Sequence, residues 1–312
     1  MNDPSELSLN RFLAPRHWPT WVLLAVMRVS AQLPAGWQIR IGAGIGWLFR
    51  KLKRREFRIA QRNLEICFPE LTPPEREVLL ARHFRSVGLS VVEMGIGWFM
   101  PIEKLHQRVE IHGLEHLEAA QAGGRGALLL AAHFLPIEIG VGVLEDYPGT
   151  TSCLYRPQRN LMMDYLILKG RSRFAAVQIP RDNVRLLIRR LRKNEAILYF
   201  PDQTYLGNQS ALIPFFGEPA MTNIATSKIA KISGAPVLPY WFRRNTDDRS
   251  YEVKIGAPLE NFPTDDAIAD TQRIVSLLEQ RIRETPEQYL WIYKKFKHRP
   301  ESLDEVYADE SE

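Results

Sequence analysis

The chain has 312 residues, 45% hydrophobic and 25% charged, a composition that excludes extensive disorder and a length that allows one large domain or one domain with an appendage. The formal net charge is +5, but the segment from Pro300 onward holds six acidic residues and no Lys or Arg, so the rest of the chain carries +11. A basic body favours anionic partners such as phosphates, lipid head groups, nucleic acid or an acidic protein, whereas residues 300–312 are expected to form a solvated, disordered tail.

The first 105 residues predict a helical region at a membrane interface. Residues 18–33 and 36–49 are apolar and rich in tryptophan, but Arg28 and Arg40 interrupt them, and each falls short of the roughly 20 apolar residues of a spanning helix. Residues 50–58 follow with six basic residues in nine. This pattern is typical of interfacial helices on an anionic leaflet. A soluble helical subdomain is the alternative, and a nucleic-acid arm is disfavoured. The N-terminus lacks the pattern of a cleavable signal peptide.

Two further helices are predicted before the chain changes character, over residues 55–67 and 74–100. A Pro-Pro pair suits the start of the second helix, and Pro101 ends it. His83 falls on the apolar stripe of this helix. That position is more typical of a packed core histidine than of a ligand.

From residue 106 to residue 299, short apolar runs alternate with helical segments. The predicted strands are Val109–His112, Gly126–Ala132, Thr151–Tyr155, Ala196–Phe200, Val237–Phe242 and Tyr251–Ile255. The predicted helices are Leu114–Ala122, Pro136–Leu144, Leu161–Lys169, Val184–Lys193, Met221–Ser233 and Asp265–Thr285. This alternation predicts an α/β fold, with a mixed sheet flanked by helices, behind the N-terminal helical, membrane-associated segment.

One predicted strand ends on a histidine that a carboxylate follows. His133 comes directly after the apolar run 126–132, and Glu138 lies five residues further, with Pro136 between them. On a straight helix the two side chains would point about 140° apart, so they converge only if His133 lies in the loop and Glu138 in the first helical turn. Glu138 would then orient the imidazole and leave its other nitrogen as a general base. The alternative is a capping carboxylate beside a histidine without a catalytic role.

Other polar residues lie beside strand ends. Asp202 follows the run 196–200 and is a candidate for the same cleft, or else a turn residue after proline. One or two arginines of a loose group are expected to bind phosphate or carboxylate groups. The group comprises Arg156, Arg159, Arg171, Arg173 and Arg181. The basic helix 184–193 is interpreted as a solvated face, with docking of an acidic protein as the alternative.

Several other chemistries lack their sequence signatures. The chain has no GxSxG, HExxH, CxxC or GxxxxGK[ST] motif, and the glycines in residues 42–46 have the wrong spacing for a dinucleotide-binding loop. Cys67 and Cys153 stand in apolar surroundings without metal-binding spacing. They are expected to be buried thiols in a reducing compartment.

An ordered set of motifs resembles one family. The set comprises His133 with Glu138, Tyr155-Arg-Pro157, Gly170-Arg171, Pro201-Asp202 and Pro214-Phe-Phe-Gly217. It resembles the lipid A biosynthesis acyltransferases, the late acyltransferases of Gram-negative lipopolysaccharide assembly, within the lysophospholipid and glycerolipid acyltransferase superfamily. Three further stretches resemble the lauroyltransferase branch: Pro15-Arg-His-Trp-Pro-Thr-Trp21, Arg62-Asn-Leu-Glu-Ile-Cys-Phe-Pro-Glu70 and Pro286-Glu-Gln-Tyr-Leu-Trp291. The resemblance covers residues 12–300.

Two positions separate this chain from its wider relatives. The larger glycerol-phosphate acyltransferases usually have Asp where Glu138 stands, and a Pro-Glu-Gly-Thr-Arg-like motif where this chain has Pro-Asp-Gln-Thr from Pro201. Both differences favour the lipid A branch. Many relatives also have a second acidic residue where Thr204 stands, so Asp202 alone is retained as a site residue.

The resemblance implies a reaction and its partners. A fatty acyl chain would pass from acyl-acyl-carrier protein to the hydroxyl of a 3-hydroxyacyl chain on a Kdo-bearing lipid A precursor. The location implied is the cytoplasmic face of the inner membrane, with anionic lipid as a further partner and no nucleic acid, metal or organic cofactor.

On this hypothesis His133 is the general base and Glu138 orients it, while Arg171, Asp202 and Arg156 bind the acceptor or the transition state. The oxyanion would be held by Arg171 or by backbone N–H groups at the start of the helix after Pro136. Three rival hypotheses remain. They are an acyltransferase for another glycolipid or phospholipid acceptor, a thioesterase that releases free fatty acid, and a catalytically inert membrane-binding protein.

Overall fold

The computed structural model describes residues 9–144, 147, 151–158, 160–173 and 177–307. Its helices are α1 (Trp18–Ser30), α2 (Ala35–Leu52), α3 (Arg54–Cys67), α4 (Pro73–Phe99), α5 (Ile102–His106), α6 (Leu114–Ala122), α7 (Ile137–Gly142), α8 (Leu161–Arg171), α9 (Val184–Leu191), α10 (Ala225–Ser233) and α11 (Ala267–Glu284). Its strands are β1 (Val109–His112), β2 (Ala127–Leu130), β3 (Thr151–Tyr155), β4 (Val177–Pro180), β5 (Ala196–Tyr199), β6 (Ser210–Phe215), β7 (Glu218–Asn223), β8 (Val237–Arg244) and β9 (Tyr251–Ile255).

Seven strands form one mixed sheet in the order β1-β9-β8-β2-β5-β3-β4. Neighbouring strands of this described sheet run parallel, except for the antiparallel pair β8–β9. The prediction of an α/β fold with a mixed, helix-flanked sheet is confirmed. Strands β2 and β5 are fully buried, which explains why they read as unbroken apolar runs rather than as alternating ones. Their carboxyl ends share one edge of the sheet, where parallel sheets place ligands.

The six predicted strands are present with ends shifted by at most two residues, but three strands lacked a signal. β4 is short and only partly buried. β6 and β7 form a separate hairpin that turns at Phe216 and Gly217, both of which have positive φ. The prediction of a helix starting at Met221 is wrong in its first turn, because Met221 pairs with Leu212 in this hairpin. The helix α10 begins only at Ala225.

The N-terminal helices pack on the sheet through α4. A Cβ on Gly46 of α2 would lie 2.2 Å from the carbonyl oxygen of Phe84, and one on Gly88 of α4 would lie 2.0 Å from the carbonyl oxygen of Gly42. Gly42, Gly46 and Gly88 therefore let two helix backbones approach each other more closely than a side chain would permit, whereas a Cβ on Gly44 would meet no neighbour. The glycines of residues 42–46 do not form a phosphate-binding loop.

One hydrophobic core joins the helical region and the sheet. The same cluster of buried side chains includes Met27 of α1, Leu64 of α3, Leu129 of β2 and Leu278 of α11. The boundary placed at residue 105 therefore marks a change of secondary structure within a shared core. Within the described ranges, no helix combines the length and apolar character needed to span a bilayer.

The acidic tail returns to this core within its described part. The Tyr307 side chain is buried, and its hydroxyl donates a hydrogen bond to Oδ1 of Asn63. The backbone N–H of Phe296 donates to the same hydroxyl at 3.2 Å. Tyr307 is therefore packed on the core, whereas Glu301, Ser302, Asp304 and Glu305 are exposed, as expected of a solvated segment. Residues 308–312 lie outside the described residues.

His83 is a core residue, as its place on the apolar stripe predicts. Its side chain is fully buried on α4, and Nδ1 lies 3.2 Å from the carbonyl oxygen of Glu287. Burial lowers the pKa of His83 to about 4, against an opposing effect of that carbonyl group. The histidine is thus held neutral inside the fold.

We expect His83 to make the protein acid-sensitive. As pH falls below 6.5 the unfolded chain binds a proton at His83, whereas the folded protein does so only near pH 4. Stability is therefore lost across this window, by about 3 kcal/mol from this residue alone. Denaturant unfolding of wild type and His83→Leu at pH 7 and pH 4.5 measures the difference. An equal loss of stability in both proteins would contradict the assignment.

Candidate active site

His133 and Asp202 occupy equivalent places after two adjacent strands. The parallel strands β2 and β5 pair with Leu130 opposite Tyr199. His133 and Asp202 each lie three residues beyond that pair. Because both strands end at the same edge of the sheet, the two side chains meet although 69 residues separate them in sequence.

Two hydrogen bonds connect His133 and Asp202. Nδ1 of His133 lies 2.7 Å from Oδ1 of Asp202, and the backbone N–H of His133 donates to Oδ2 at 3.0 Å. The Asp202 side chain is 2% exposed, whereas that of His133 is 27% exposed and packs against the Phe200 ring. Among the described residues, no hydrogen bond occupies Nε2 of His133. The imidazole is thus fixed on its inner side and open on its outer side.

The ionisation of Asp202 decides which imidazole nitrogen carries the proton. Burial tends to raise the pKa of Asp202, but the charge and hydrogen bonds of His133, with the charge of Lys295, outweigh it and lower the pKa below its ordinary value. An ionised carboxylate only accepts hydrogen bonds, so Nδ1 of His133 must be the protonated nitrogen of the neutral ring. Nε2 then has a free lone pair, which is the requirement for a general base.

Glu138 does not make the expected hydrogen bond to His133. It lies in the first turn of α7, as predicted, but its carboxylate faces α4 and α8. Nε of Arg171 donates to both oxygens at 3.1 and 3.2 Å, Nη2 of Arg171 also contacts Oε1, and Nε1 of Trp98 donates to Oε2 at 3.0 Å. The predicted pairing of His133 with Glu138 is therefore wrong. Strand β5 lies beside β2 and places Asp202 next to the imidazole, whereas Glu138 lies in the helix that follows the His133 loop.

Arg171 forms a buried ion pair with Glu138. Burial opposes the charge of the guanidinium, but the neighbouring carboxylate raises the pKa of Arg171 above its ordinary value. The pair links the end of α8 to the start of α7, and the Trp98 contact adds α4. Three helices are therefore joined at one carboxylate, five residues after His133.

Among the described residues, no arginine of the group forms a hydrogen bond with His133. Arg156 is exposed in the loop that follows β3, at the same edge of the sheet. Arg173 donates to the carbonyl oxygens of Trp98 and Met100. Arg181 pairs with its neighbour Asp182 on the surface, and Arg159 lies outside the described residues.

Two residues missed by sequence reasoning contact Asp202. The Tyr289 hydroxyl donates to Oδ2 at 3.1 Å, and Nζ of Lys295 donates to the Asp202 carbonyl oxygen at 2.6 Å. Both come from the segment after α11, which has no strand or helix pattern. For Tyr289 the only signal was the resemblance of residues 286–291 to the family, which carries no chemistry by itself, and no motif singled out Lys295. Within the described residues no group of three His, Cys, Asp or Glu side chains is placed to hold a metal ion.

The sequence is similar to known proteins over nearly its whole length. The family described as bacterial lipid A biosynthesis acyltransferase matches residues 8–298. A lipid A biosynthesis lauroyltransferase of Escherichia coli K12 is 36% identical over 299 residues, covering 95% of this chain and 96% of the relative. A lipid A biosynthesis palmitoleoyltransferase of the same organism is 35% identical over 303 residues, with coverage of 95% and 96%.

Among solved structures, a 1-acyl-sn-glycerophosphate acyltransferase from Thermotoga maritima overlaps with a TM-score of 0.37 at 16% identity. The overlap covers 75% of this chain and 98% of that one. Such a likeness is too low to support an inference about either the fold or the site.

Proposed function

The chain belongs to the bacterial lipid A biosynthesis acyltransferases, and we propose that it transfers a fatty acyl chain from acyl-acyl-carrier protein to a hydroxyl of a Kdo-bearing lipid A precursor. The observation that carries the chemical part is the His133 imidazole, held by Asp202 at Nδ1 and open at Nε2. The two Escherichia coli relatives are named for different acyl groups, lauroyl and palmitoleoyl, so we propose a fatty acyl donor without assigning its length.

In the proposed mechanism, Nε2 of His133 removes the proton of the acceptor hydroxyl as that oxygen attacks the thioester carbon. A C–O bond forms, the C–S bond breaks, and the imidazolium returns its proton to the leaving thiolate. Asp202 keeps the ring in the reactive tautomer and stabilises its cation. No acyl-enzyme is required, because the acceptor alcohol takes the place of a nucleophilic serine.

The remaining candidates receive supporting roles in this proposal. Glu138 and Arg171 fix the start of α7 and thereby the His133 loop. Because Nε and Nη2 of Arg171 already bond Glu138, backbone N–H groups in the first turn of α7 are favoured as oxyanion donors. Arg156, exposed at the same edge, would meet anionic groups of the acceptor.

The deciding experiment supplies donor and acceptor together and identifies the product by mass. Wild type is expected to form the acylated acceptor, and His133→Ala to lose about 10²–10⁴-fold in turnover while remaining folded. Acyl-coenzyme A in a parallel reaction separates the chemistry from the identity of the donor. Near-normal turnover by folded His133→Ala would reject the base assignment.

The same assay discriminates the rival functions. A thioesterase would release free fatty acid without the lipid acceptor. A catalytically inert membrane-binding protein would leave the thioester intact under all conditions. A phospholipid or other glycolipid acceptor would be acylated in preference to the lipid A precursor in a competition between them.

We also propose that α1 and α2 hold the enzyme on the cytoplasmic face of the inner membrane. These helices and the turn before them expose large apolar side chains, a pattern that marks an interaction surface. They are Leu13, Trp18, Val22, Val29, Trp37, Trp47, Leu48 and Leu52. The exposed basic residues Lys51, Lys53 and Arg54 follow directly and would meet anionic head groups.

Vesicle binding tests this surface. Trp37 and Leu48 are separated by about three helical turns, so they share one face of α2. Replacing both with Glu is expected to weaken binding to phosphatidylglycerol-containing vesicles by about 10-fold or more, because their apolar burial is lost. Ile268→Glu, on an equally exposed apolar residue of α11, is the matched control. Equal binding by the double variant and the control would reject the assignment of this surface.

A further inference from the structure

The segment Gln288–Leu290 lies beside the catalytic loop like a short strand. The N–H of Leu290 donates to the carbonyl oxygen of His133 at 3.1 Å, and the N–H of Leu135 donates to the carbonyl oxygen of Gln288 at 2.7 Å. Phe134 and Tyr289 form an antiparallel bridge between these bonds. The backbone of His133 is therefore fixed by a segment that follows the sheet by more than thirty residues.

The same segment, continued as far as Lys295, also holds Asp202. The Tyr289 hydroxyl donates to Oδ2 at 3.1 Å, and this is the oxygen that accepts the backbone N–H of His133. Nζ of Lys295 donates to the Asp202 carbonyl oxygen, 2.6 Å away. Both side chains are buried. One stretch of chain thus positions both partners of the catalytic pair.

Further contacts anchor this stretch to the body of the protein. The Thr204 hydroxyl donates to the carbonyl oxygen of Lys295 at 2.6 Å, which closes a reciprocal link between the Asp202 loop and the segment. Nδ2 of Asn63, on α3, donates to the carbonyl oxygens of Trp291 and Tyr293 at 2.6 and 2.9 Å. Hydrogen bonds on both sides therefore hold this segment in place, although it has no long helix or strand of its own.

Burial disfavours the charged form of Lys295. Burial lowers its pKa to about 8, although the charge of Asp202 opposes this effect. Its ammonium group lies 4.7 Å from the centre of the Phe215 ring. Burying a charged group costs free energy unless the group is hydrogen-bonded, and here the Asp202 carbonyl oxygen accepts that bond.

We propose that Tyr289 and Lys295 are positioning residues for the transfer reaction, acting through Asp202 to hold the His133–Asp202 pair in its reactive geometry. The inference rests on the proposed function and adds two residues to its machinery. Tyr289 supplies the third donor to the Asp202 carboxylate, and Lys295 fixes the backbone from which that carboxylate projects. Neither residue touches a reacting atom.

The test compares Tyr289→Phe with Tyr293→Phe. Tyr293 lies on the same segment, but its hydroxyl donates to the carbonyl oxygen of Thr204, at 3.4 Å, and leaves the carboxylate untouched. Tyr289→Phe is expected to lower kcat about 10- to 100-fold, the loss typical of one hydrogen bond to a charged group, with KM for both substrates unchanged and the protein fully folded at the assay temperature. Tyr293→Phe is expected to keep the wild-type kcat.

Lys295→Met tests the positioning role of Lys295 independently of Tyr289. We expect kcat to fall about 10-fold while the melting temperature stays level or rises, because a buried cation has been removed. A merely structural lysine predicts the reverse, a lower melting temperature with kcat preserved. That result would overturn the role of Lys295.

A readout without substrates keeps this inference separate from the proposed function. The Nδ1–H proton resonance of His133, observed in ¹⁵N-histidine-labelled protein, is expected to shift in Tyr289→Phe and to stay in place in Tyr293→Phe. If the resonance and kcat are unchanged in Tyr289→Phe, the positioning role is overturned. Absence of transfer by wild type would instead count against the proposed function, and the resonance would still decide the positioning role.

Discussion

Asp202→Asn is expected to lower kcat about 10²–10⁴-fold with the fold intact. The amide that replaces the carboxylate presents an NH₂ group or a weaker oxygen to the imidazole. An NH₂ group facing Nδ1 would favour the opposite tautomer and place the proton on Nε2, where the base lone pair is needed. Steady-state transfer kinetics, with the melting temperature measured alongside, detect the change.

Two companion variants sharpen this result. Asp182→Asn alters a carboxylate that is 80% exposed and should match wild type. Glu138→Gln tests the competing assignment, in which Glu138 orients His133. Suppose that Glu138→Gln lowers kcat more than Asp202→Asn does, at equal stability. Asp202 would then not be the acid that orients His133 during catalysis, despite its hydrogen bond with Nδ1.

Glu138→Ala is expected to destabilise the protein by about 3–5 kcal/mol. The substitution leaves the Arg171 guanidinium buried without its counter-charge and removes the acceptor for the Trp98 indole N–H. Breaking a buried pair costs more than the pair contributes, because the remaining charge stays desolvated. Denaturant unfolding at pH 7 measures the loss.

The double variant Glu138→Leu/Arg171→Met separates the buried charge from the lost contacts. With both charges gone no unpaired ion remains, so most of the stability is expected to return. If the double variant is as unstable as Glu138→Ala, the loss arises from the shape of the site rather than from electrostatics. The role of Glu138 as an electrostatic support for α7 would then be wrong.

Local pattern was sufficient for the strands that the core buries completely. The apolar runs that became β2 and β5 have no polar interruption, so their positions follow from hydrophobicity alone. The hairpin β6–β7 has a mixed pattern and includes Pro214 and Pro219, which face each other in its register. Its stability depends on pairing and on packing against α11, and neither is visible in a local window.

The candidate site divides along the same line. The sequence by itself determined that His133 and Asp202 each follow a buried strand and that Glu138 begins a helix, because each statement depends on neighbours in the chain. Which acid meets the imidazole depends on which strands are adjacent, and the packing of the whole sheet sets that order. Only the tertiary structure decided that β5 lies beside β2, so that Asp202 binds His133 and Glu138 turns to Arg171.

The contacts that the C-terminal segment makes with Asp202 and with α3 could not be predicted from the sequence either. Tyr289 reaches Asp202 across 87 residues, and Asn63 reaches Trp291 across 228. Periodicity reports which side of an element is buried, and it carries no information about which distant segment will cover that side. The physical reason is that such contacts gain their free energy only after the chain has closed long loops around a shared core.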